Sequence, residues 1–397
     1  MSGKTLQMYL EKNLNDMKEQ KLYTTVNVFN FGNKPIVNLD GKELINLSST
    51  DYLGLSNNPR VIEATIRATE KYGAGSGGTR MLSGTLDIHE ELELKLARLI
   101  NLEAAITFQS AYNCNIGAIV AIMNSHDAIL SDNYNHSSII DGCIISGAKI
   151  IGFEHSNMKD LRQKAKDAVD SGLYTKIMVI TDGIFSIDGD IAALQDIVEI
   201  AEEFNLITYV DDAHATGVIG QNGSGSGTHH DLVGKIDLQV GTLSKAIGVV
   251  GGYVAGSKDL IEWLKRKSNP FLFSTSMTPG AVGAAIESIN ILNESTELID
   301  KLWHNGRYLK RELKKLGFDI GQSDTPITPC KFSDSKTASE FSLELIKQGV
   351  YAKVLNFSTL PIASQRIRNM PTAAHDEEML NKAVKAYEAA GRGMGII

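Results

Sequence analysis

Cysteine is scarce in this chain. There are 3 in 397 residues, Cys114, Cys143 and Cys330, with no CxxC spacing. So few and so scattered a set argues against a disulfide framework or a cysteine-based metal knuckle, and fits small core thiols in a reducing cytoplasm. Surplus positive charge is also missing. With 39 Lys and Arg against 47 Asp and Glu, the formal net charge is -8. Neither nucleic acid nor a membrane surface is then expected as the main partner, although local basic pockets for phosphate remain open. No apolar run approaches the ~20 residues needed to span a bilayer. The polar, charged stretch from Met1 to Tyr23 reads as an amphipathic helix, not a signal peptide. Internal repeats and low-complexity linkers are absent too, and the Gly/Ser-rich Gly220–Gly227 is too short to separate domains. What remains is an ordinary globular composition, 43% hydrophobic and 22% charged, long enough for two or three domains around a large core.

From Asp87 onward, amphipathic helical patterns alternate with short apolar runs. Strands are expected at Ala104–Phe108, Ala128–Leu130, Lys149–Phe153, Lys176–Thr181, Leu206–Val210 and Ile236–Val240. Helices are expected at about Asn113–Met123, up to Ser146, Met158–Ser171 and Leu194–Phe204. This is the pattern of an α/β fold whose mostly parallel central sheet is covered by helices on both faces. Beyond Tyr253 the character shifts to helices with few strands, which reads as a smaller α+β C-terminal domain. The expected division is 1–55, an N-terminal helix and segment packing with the small domain; 56–290, the large domain; and 291–397, the small domain.

Sheets of this kind bind ligands at the strand C-terminal ends, where the polar clusters fall. Val210-Asp211-Asp212-Ala213-His214 ends one strand. Lys245, in Gly241-Thr242-Leu243-Ser244-Lys245-Ala246, follows the next. Asp, Asp and His could bind a metal, with His229-His230 nearby in sequence, but no HExxH or cysteine cluster supports it and no metal is expected. The other reading is an acid beneath a pyridine nitrogen, with Lys245 as the amine that forms a Schiff base and the ring as the electron sink for a carbanion. Gln109-Ser110-Ala111-Tyr112-Asn113 is a strand-to-helix junction suited to a phosphate dianion, and equally to an ordinary helix cap. Asn135-His136 offers an imidazole that could lie over such a ring or be merely structural. Gly73-Ala74-Gly75-Ser76-Gly77-Gly78 matches GxGxxG, but a helical pattern precedes it and the next helix waits until Asp87. A mobile loop closing on a small substrate therefore fits better than a dinucleotide site or a dehydrogenase.

These motifs together resemble the α-oxoamine synthases, fold-type I pyridoxal-phosphate enzymes, with the glycine C-acetyltransferase and 8-amino-7-oxononanoate synthase branches nearest. The likeness runs from Asp51-Tyr52-Leu53-Gly54-Leu55 to Thr372-Ala373-Ala374-His375. It passes through Ser131-Asp132…Asn135-His136, Thr181-Asp182-Gly183-Ile184-Phe185-Ser186-Ile187-Asp188-Gly189, the Asp211 motif and the Lys245 motif. The resemblance implies pyridoxal 5'-phosphate as cofactor. Lys245 would carry it and shuttle the α-proton, Asp211 would pair with the ring nitrogen and His214 would contact the ring hydroxyl. His136 would stack on the ring and Ser186 would bind near it. Backbone groups of Ala111 and Tyr112 and the Thr242 hydroxyl would hold the phosphate. Phe273-Ser274-Thr275-Ser276 resembles the segment by which a partner subunit completes that site, which implies a homodimer with a shared active site. Arg368 would take the amino-acid carboxylate, with Arg366 as the structural alternative.

The expected reaction is acyl transfer from an acyl-CoA to an amino acid. Glycine with acetyl-CoA is the first expectation; alanine with a pimeloyl thioester, with decarboxylation, is the alternative. A longer acyl donor or another amino acid is a further possibility. Three departures bear on the substrate. Thr50 stands where the family commonly has the asparagine that helps position the carboxylate. Leu355–Ser364 replaces a glycine- and proline-bearing segment. Asp132-Asn133-Tyr134-Asn135 differs from the acetyltransferase branch.

Overall fold

The computed structural model describes residues 2–19, 23, 26–29, 32–355 and 365–397. They fall into two compact units: Thr50–His304 with Thr372–Ala374, and the remainder, Met1–Ser49, Asn305–Pro371 and His375–Ile397. Along the chain the strands are β1 (Ile36–Leu39), β2 (Lys42–Asn46), β3 (Ala104–Phe108), β4 (Ala128–Asp132), β5 (Lys149–Phe153) and β6 (Ile177–Asp182). They continue as β7 (Ile207–Asp211), β8 (Leu238–Thr242), β9 (Gly252–Gly256), β10 (Thr328–Lys331), β11 (Val350–Tyr351) and β12 (Arg366–Asn369).

The larger unit is built on a seven-stranded sheet in the order β3-β9-β8-β7-β6-β4-β5. Strands β5, β4, β6, β7 and β8 are mutually parallel, and β9 runs antiparallel between β8 and β3. Alternate residues of each central strand feed opposite faces, as the two-residue period requires. Met178, Ile180, Tyr209 and Val240 pack with Ile119, Ile139 and Leu264 on one side. Ile177, Val179 and Val210 pack with Leu161, Leu194 and Val198 on the other. Burial on both faces explains why these strands read as continuous apolar runs. Strand β9 escapes that reading. Its sequence is Gly-Tyr-Val-Ala-Gly, all buried, and glycine at both ends looks like turn, not strand. At Gly252 the glycine is needed: a Cβ there would stand 2.5 Å from the Ala111 nitrogen, so only glycine lets the helix after β3 start so close to the sheet.

The smaller unit holds a three-stranded sheet, β1-β2-β11, and a two-stranded one, β10-β12. The β1-β2 hairpin turns at Asp40 (φ 53) and Gly41 (φ 81), the Asp-Gly pair whose left-handed backbone matches a two-residue hairpin. Leu309, Phe318, Phe341, Ile367 and Tyr387 form this unit's core.

The glycine-rich stretch is tied down. Helix Pro59–Tyr72 precedes it and helix Asp87–Ile100 follows, so the strand-turn-helix context of a dinucleotide fingerprint is absent. Ser276 donates its hydroxyl to Ser76 Oγ at 2.9 Å and its N–H to the Gly78 carbonyl at 3.1 Å. Arg80 forms a buried bidentate pair with Glu93, at 2.7 and 3.1 Å, and donates to Thr107 at 3.1 Å. The expectation of a mobile closing loop gives way to a pinned one, because the arginine anchors it in the core. Removing one partner of a buried pair strands the other charge, which costs about 3–5 kcal/mol. Arg80→Met should therefore lower the unfolding free energy measured in urea by about 3–5 kcal/mol, with much of the loss recovered in Arg80→Met, Glu93→Leu. A single substitution costing under ~1 kcal/mol, the range of an exposed pair, would contradict the anchor.

Candidate active site

Asp211 is the last residue of β7, at the middle of the sheet. In register beside it stand Asp182 of β6 and Val240 of β8. Asp211 is 2% exposed and doubly held: Oδ1 accepts the Ala213 N–H at 2.8 Å and Oδ2 accepts the Asn115 side-chain N–H at 2.7 Å. Asp182 accepts the His136 backbone N–H at 2.8 Å. Burial and then the neighbouring Asp211 charge push its carboxyl well above the usual range, against the pull of the His136 N–H and the Lys245 charge. That influence puts Lys245, three residues beyond β8, within electrostatic range of Asp182.

Most of the remaining expected residues of this unit lie at or just beyond strand ends. His214 Nδ1 meets the Tyr52 hydroxyl at 2.8 Å. His136 caps helix Ser137–Ser146. Ser110 caps helix Ala111–Ile122 by accepting the Asn113 N–H, and the first amides of a helix, here Ala111 and Tyr112, have no partner within it. Thr242 pairs with Gly252, which pairs on its other side with Phe108. The Thr242 hydroxyl, 2.8 Å from Ser244 Oγ, thus lies across one glycine from the strand that leads to Ala111. Ser186 sits half-buried in the turn closed by Gly189 N–H donating to the Phe185 carbonyl at 2.9 Å. Ser274 and Thr275 lie elsewhere on the unit: Thr275 bridges Thr79, and its carbonyl accepts from Gln109. Thr50 is half-buried, its carbonyl accepting the Tyr52 N–H at 2.9 Å. In the smaller unit, Arg366 is buried and Arg368 half-buried on β12. Of the divergent stretch before them, residues 356–364 lie outside the described residues.

Asp212, paired with Asp211 in the sequence motif, turns away from it. It accepts the Ser226 N–H at 2.9 Å and the Gln239 amide at 3.1 Å, and burial raises its carboxyl to about 6. Among the described residues no cluster of three or more His, Cys, Asp or Glu could hold a metal. Sequence reasoning missed Asn115, Tyr52 as the partner of His214, and His155. The last bridges Asp132 and Asp190 at 3.0 Å each and stacks on Tyr134 at 4.3 Å. It joins the turn bearing His136 to the turn bearing Ser186. No local spacing signals such contacts, because the partners lie 23 and 35 residues away.

A model of the family described as aminotransferase class I and II matches residues 42–386. An 8-amino-7-oxononanoate synthase of Thermoanaerobacter pseudethanolicus is 50% identical over 389 residues, covering 98% of each chain. One from Symbiobacterium thermophilum is 48% identical, covering 98% of this chain and 99% of the other. Among solved structures, a K265A serine palmitoyltransferase from S. paucimobilis with a bound pyridoxal-phosphate–myriocin aldimine superposes with a TM-score of 0.91 at 30% identity, covering 98% of both chains. An 8-amino-7-oxononanoate synthase from Francisella tularensis shares the fold, with a TM-score of 0.75 at 24% identity, covering 89% of this chain and 99% of that one. The chain belongs to the α-oxoamine synthases, pyridoxal-phosphate enzymes within aminotransferase class I and II. Its cofactor is pyridoxal 5'-phosphate. The residues present suit that group: a buried acid, a lysine, two imidazoles, and a helix start with bare amides beside a glycine whose Cβ would crowd it. No helix among the described residues is long and apolar enough to cross a membrane.

His155 makes a pH dependence testable. Burial disfavours its charge, but hydrogen bonds to Asp132 and Asp190 outweigh that and raise its pKa to about 9. A raised folded pKa stabilises fully below the unfolded value of about 6.5, and the contribution is lost as pH rises through about 9. The melting-temperature gap between wild type and His155→Gln should thus be widest near pH 6 and shrink towards pH 10. A gap that stays constant across that range would remove the charged bridge.

Proposed function

We propose that this enzyme is an 8-amino-7-oxononanoate synthase: it joins L-alanine to a pimeloyl thioester and releases carbon dioxide and the thiol. The observation that carries the reading is near-half identity, end to end, with relatives of that name. Glycine with acetyl-CoA, the first expectation from sequence, finds no such support and becomes the competing outcome.

Bound at the strand ends, pyridoxal phosphate supplies an electron sink for charge developing at the amino acid's α-carbon. Lys245 provides the amine that holds the group and, when released, the base that moves the α-proton. Asp211 keeps a proton on the ring nitrogen, and its two donors fix the carboxylate for that task. Burial and the adjacent Asp211 charge raise the Asp182 carboxyl above its ordinary range, which disfavours a second charge beside Asp211. Tyr52 fixes His214 for the ring hydroxyl, with Ser186 beside it and His136 on the ring face. The Ala111 and Tyr112 amides and the Thr242 hydroxyl take the phosphate. Arg368 is assigned the substrate carboxylate on the family resemblance, and Thr50 replaces the asparagine that would assist it.

A homodimer is part of this reading. Ser274 and Thr275 adjoin Phe273 and stand opposite a stretch bearing Leu82, which are 78% and 87% exposed. Large apolar side chains this bare favour a second copy that would receive Ser274 and Thr275 at its phosphate site.

Thiol release over paired amino acids and acyl-CoAs, with product masses, tests the assignment. Alanine with pimeloyl-CoA should give the highest kcat/KM and a product lacking one carboxyl group. Highest efficiency for glycine with acetyl-CoA, or serine with palmitoyl-CoA, would refute it. Lys245→Ala should lose at least ~10²-fold in turnover, the lower bound for a positioned base, together with the bound cofactor's visible absorbance; unchanged values for both would remove Lys245 from its role.

A further inference from the structure

Asn115 is fully buried and so far enters only as one of the two donors to Asp211, yet its amide is completely engaged. Oδ1 accepts from the Tyr209 hydroxyl at 2.6 Å. Nδ2 donates to Asp211 Oδ2 at 2.7 Å and to Ser138 Oγ at 2.8 Å. Charge fixes this orientation, because the flipped amide would set its carbonyl oxygen against the Asp211 carboxylate.

The direction of these bonds propagates. Ser138 Oγ, having accepted from Asn115, keeps one hydrogen to give, and His136 Nδ1 lies 2.7 Å away. The Ser138 backbone N–H is directed at the same nitrogen at 3.3 Å. Two donors converging on Nδ1 make it an acceptor, so neutral His136 carries its proton on Nε2. A single amide on helix Ala111–Ile122 thereby reaches the acid at the end of β7 and the imidazole that caps the next helix.

We propose that Asn115 is a positioning residue that sets Asp211 and His136 as a pair, orienting the acid directly and fixing the imidazole tautomer through Ser138. Pyridoxal phosphate would then meet an acid already oriented and an imidazole whose proton is already placed. The inference rests on the reading of Asp211 and His136 as the groups that grip the ring. It is independent of which amino acid and thioester are condensed.

The test reads the tautomer directly. In the apoenzyme, ¹⁵N-histidine NMR, with the His136 signals assigned by their loss in His136→Gln, should show the Nε2–H form. Ser138→Ala, which deletes the last donor side chain and leaves a small buried residue, should mix the tautomers and weaken pyridoxal-phosphate binding about tenfold by fluorescence titration. Ser138→Thr, which keeps the hydroxyl, should restore both. Asn115→Leu should act in the same direction on both readouts, and its melting temperature shows whether it folds. A Ser138→Ala protein with an unchanged Nε2–H tautomer and wild-type cofactor affinity overturns the proposal whether or not Asn115→Leu folds. Failure of the alanine and pimeloyl assignment leaves these results unaffected, because no substrate is present.

Discussion

Two carboxylates in register on adjacent strands, both buried, constrain everything around them. Asp182 and Asp211 end β6 and β7 side by side, and a low-dielectric interior does not hold two such charges together unaided. The structure meets the constraint asymmetrically. Asp211 receives two hydrogen bonds. Asp182 receives one backbone N–H and a nearby lysine, yet stays well above the ordinary carboxylate range. Different environments thus separate the tasks of two like groups, which lets one serve as a fixed counter-charge.

The topology accounts for where this happens. The parallel strands deliver their C-terminal ends to one edge, and β9, inserted antiparallel between β8 and β3, brings Gly252 between Thr242 and Phe108. Anion-binding helix starts and strand-end side chains therefore meet without a long loop. His155 adds a second tie from the side, linking the turns that carry His136 and Ser186 through Asp132 and Asp190. The positions proposed to hold the ring are thus set mainly by backbone placement, while Asn115 and His155 tie the side chains around them.

Much of this was legible in the sequence. Strands buried on both faces declare themselves as apolar runs, and β5 and helix Leu194–Phe204 fall at their expected bounds. The Lys245 and Asp211 motifs are local in sequence, so their strand-end positions could be read directly. Strand β9 could not, since its terminal glycines serve close approach and mimic a turn. The β1-β2 hairpin had a usable signal in Asp40-Gly41. Asn115 had none: its partners Tyr209 and Asp211 lie 94 and 96 residues away, and an asparagine within a helix gives no sign of what it will meet. The glycine-rich loop misled for the opposite reason. Its composition suggested mobility, while the residue that pins it, Glu93, lies in the following helix.

The sharpest single measurement is the turnover of Asp211→Asn with cofactor bound. The substitution keeps size and most hydrogen bonding but removes the charge proposed to hold a proton on the ring nitrogen. A folded variant that binds pyridoxal phosphate and loses on the order of 10²-fold or more in kcat is the predicted result. A folded variant with wild-type kcat would contradict the central role given to that carboxylate.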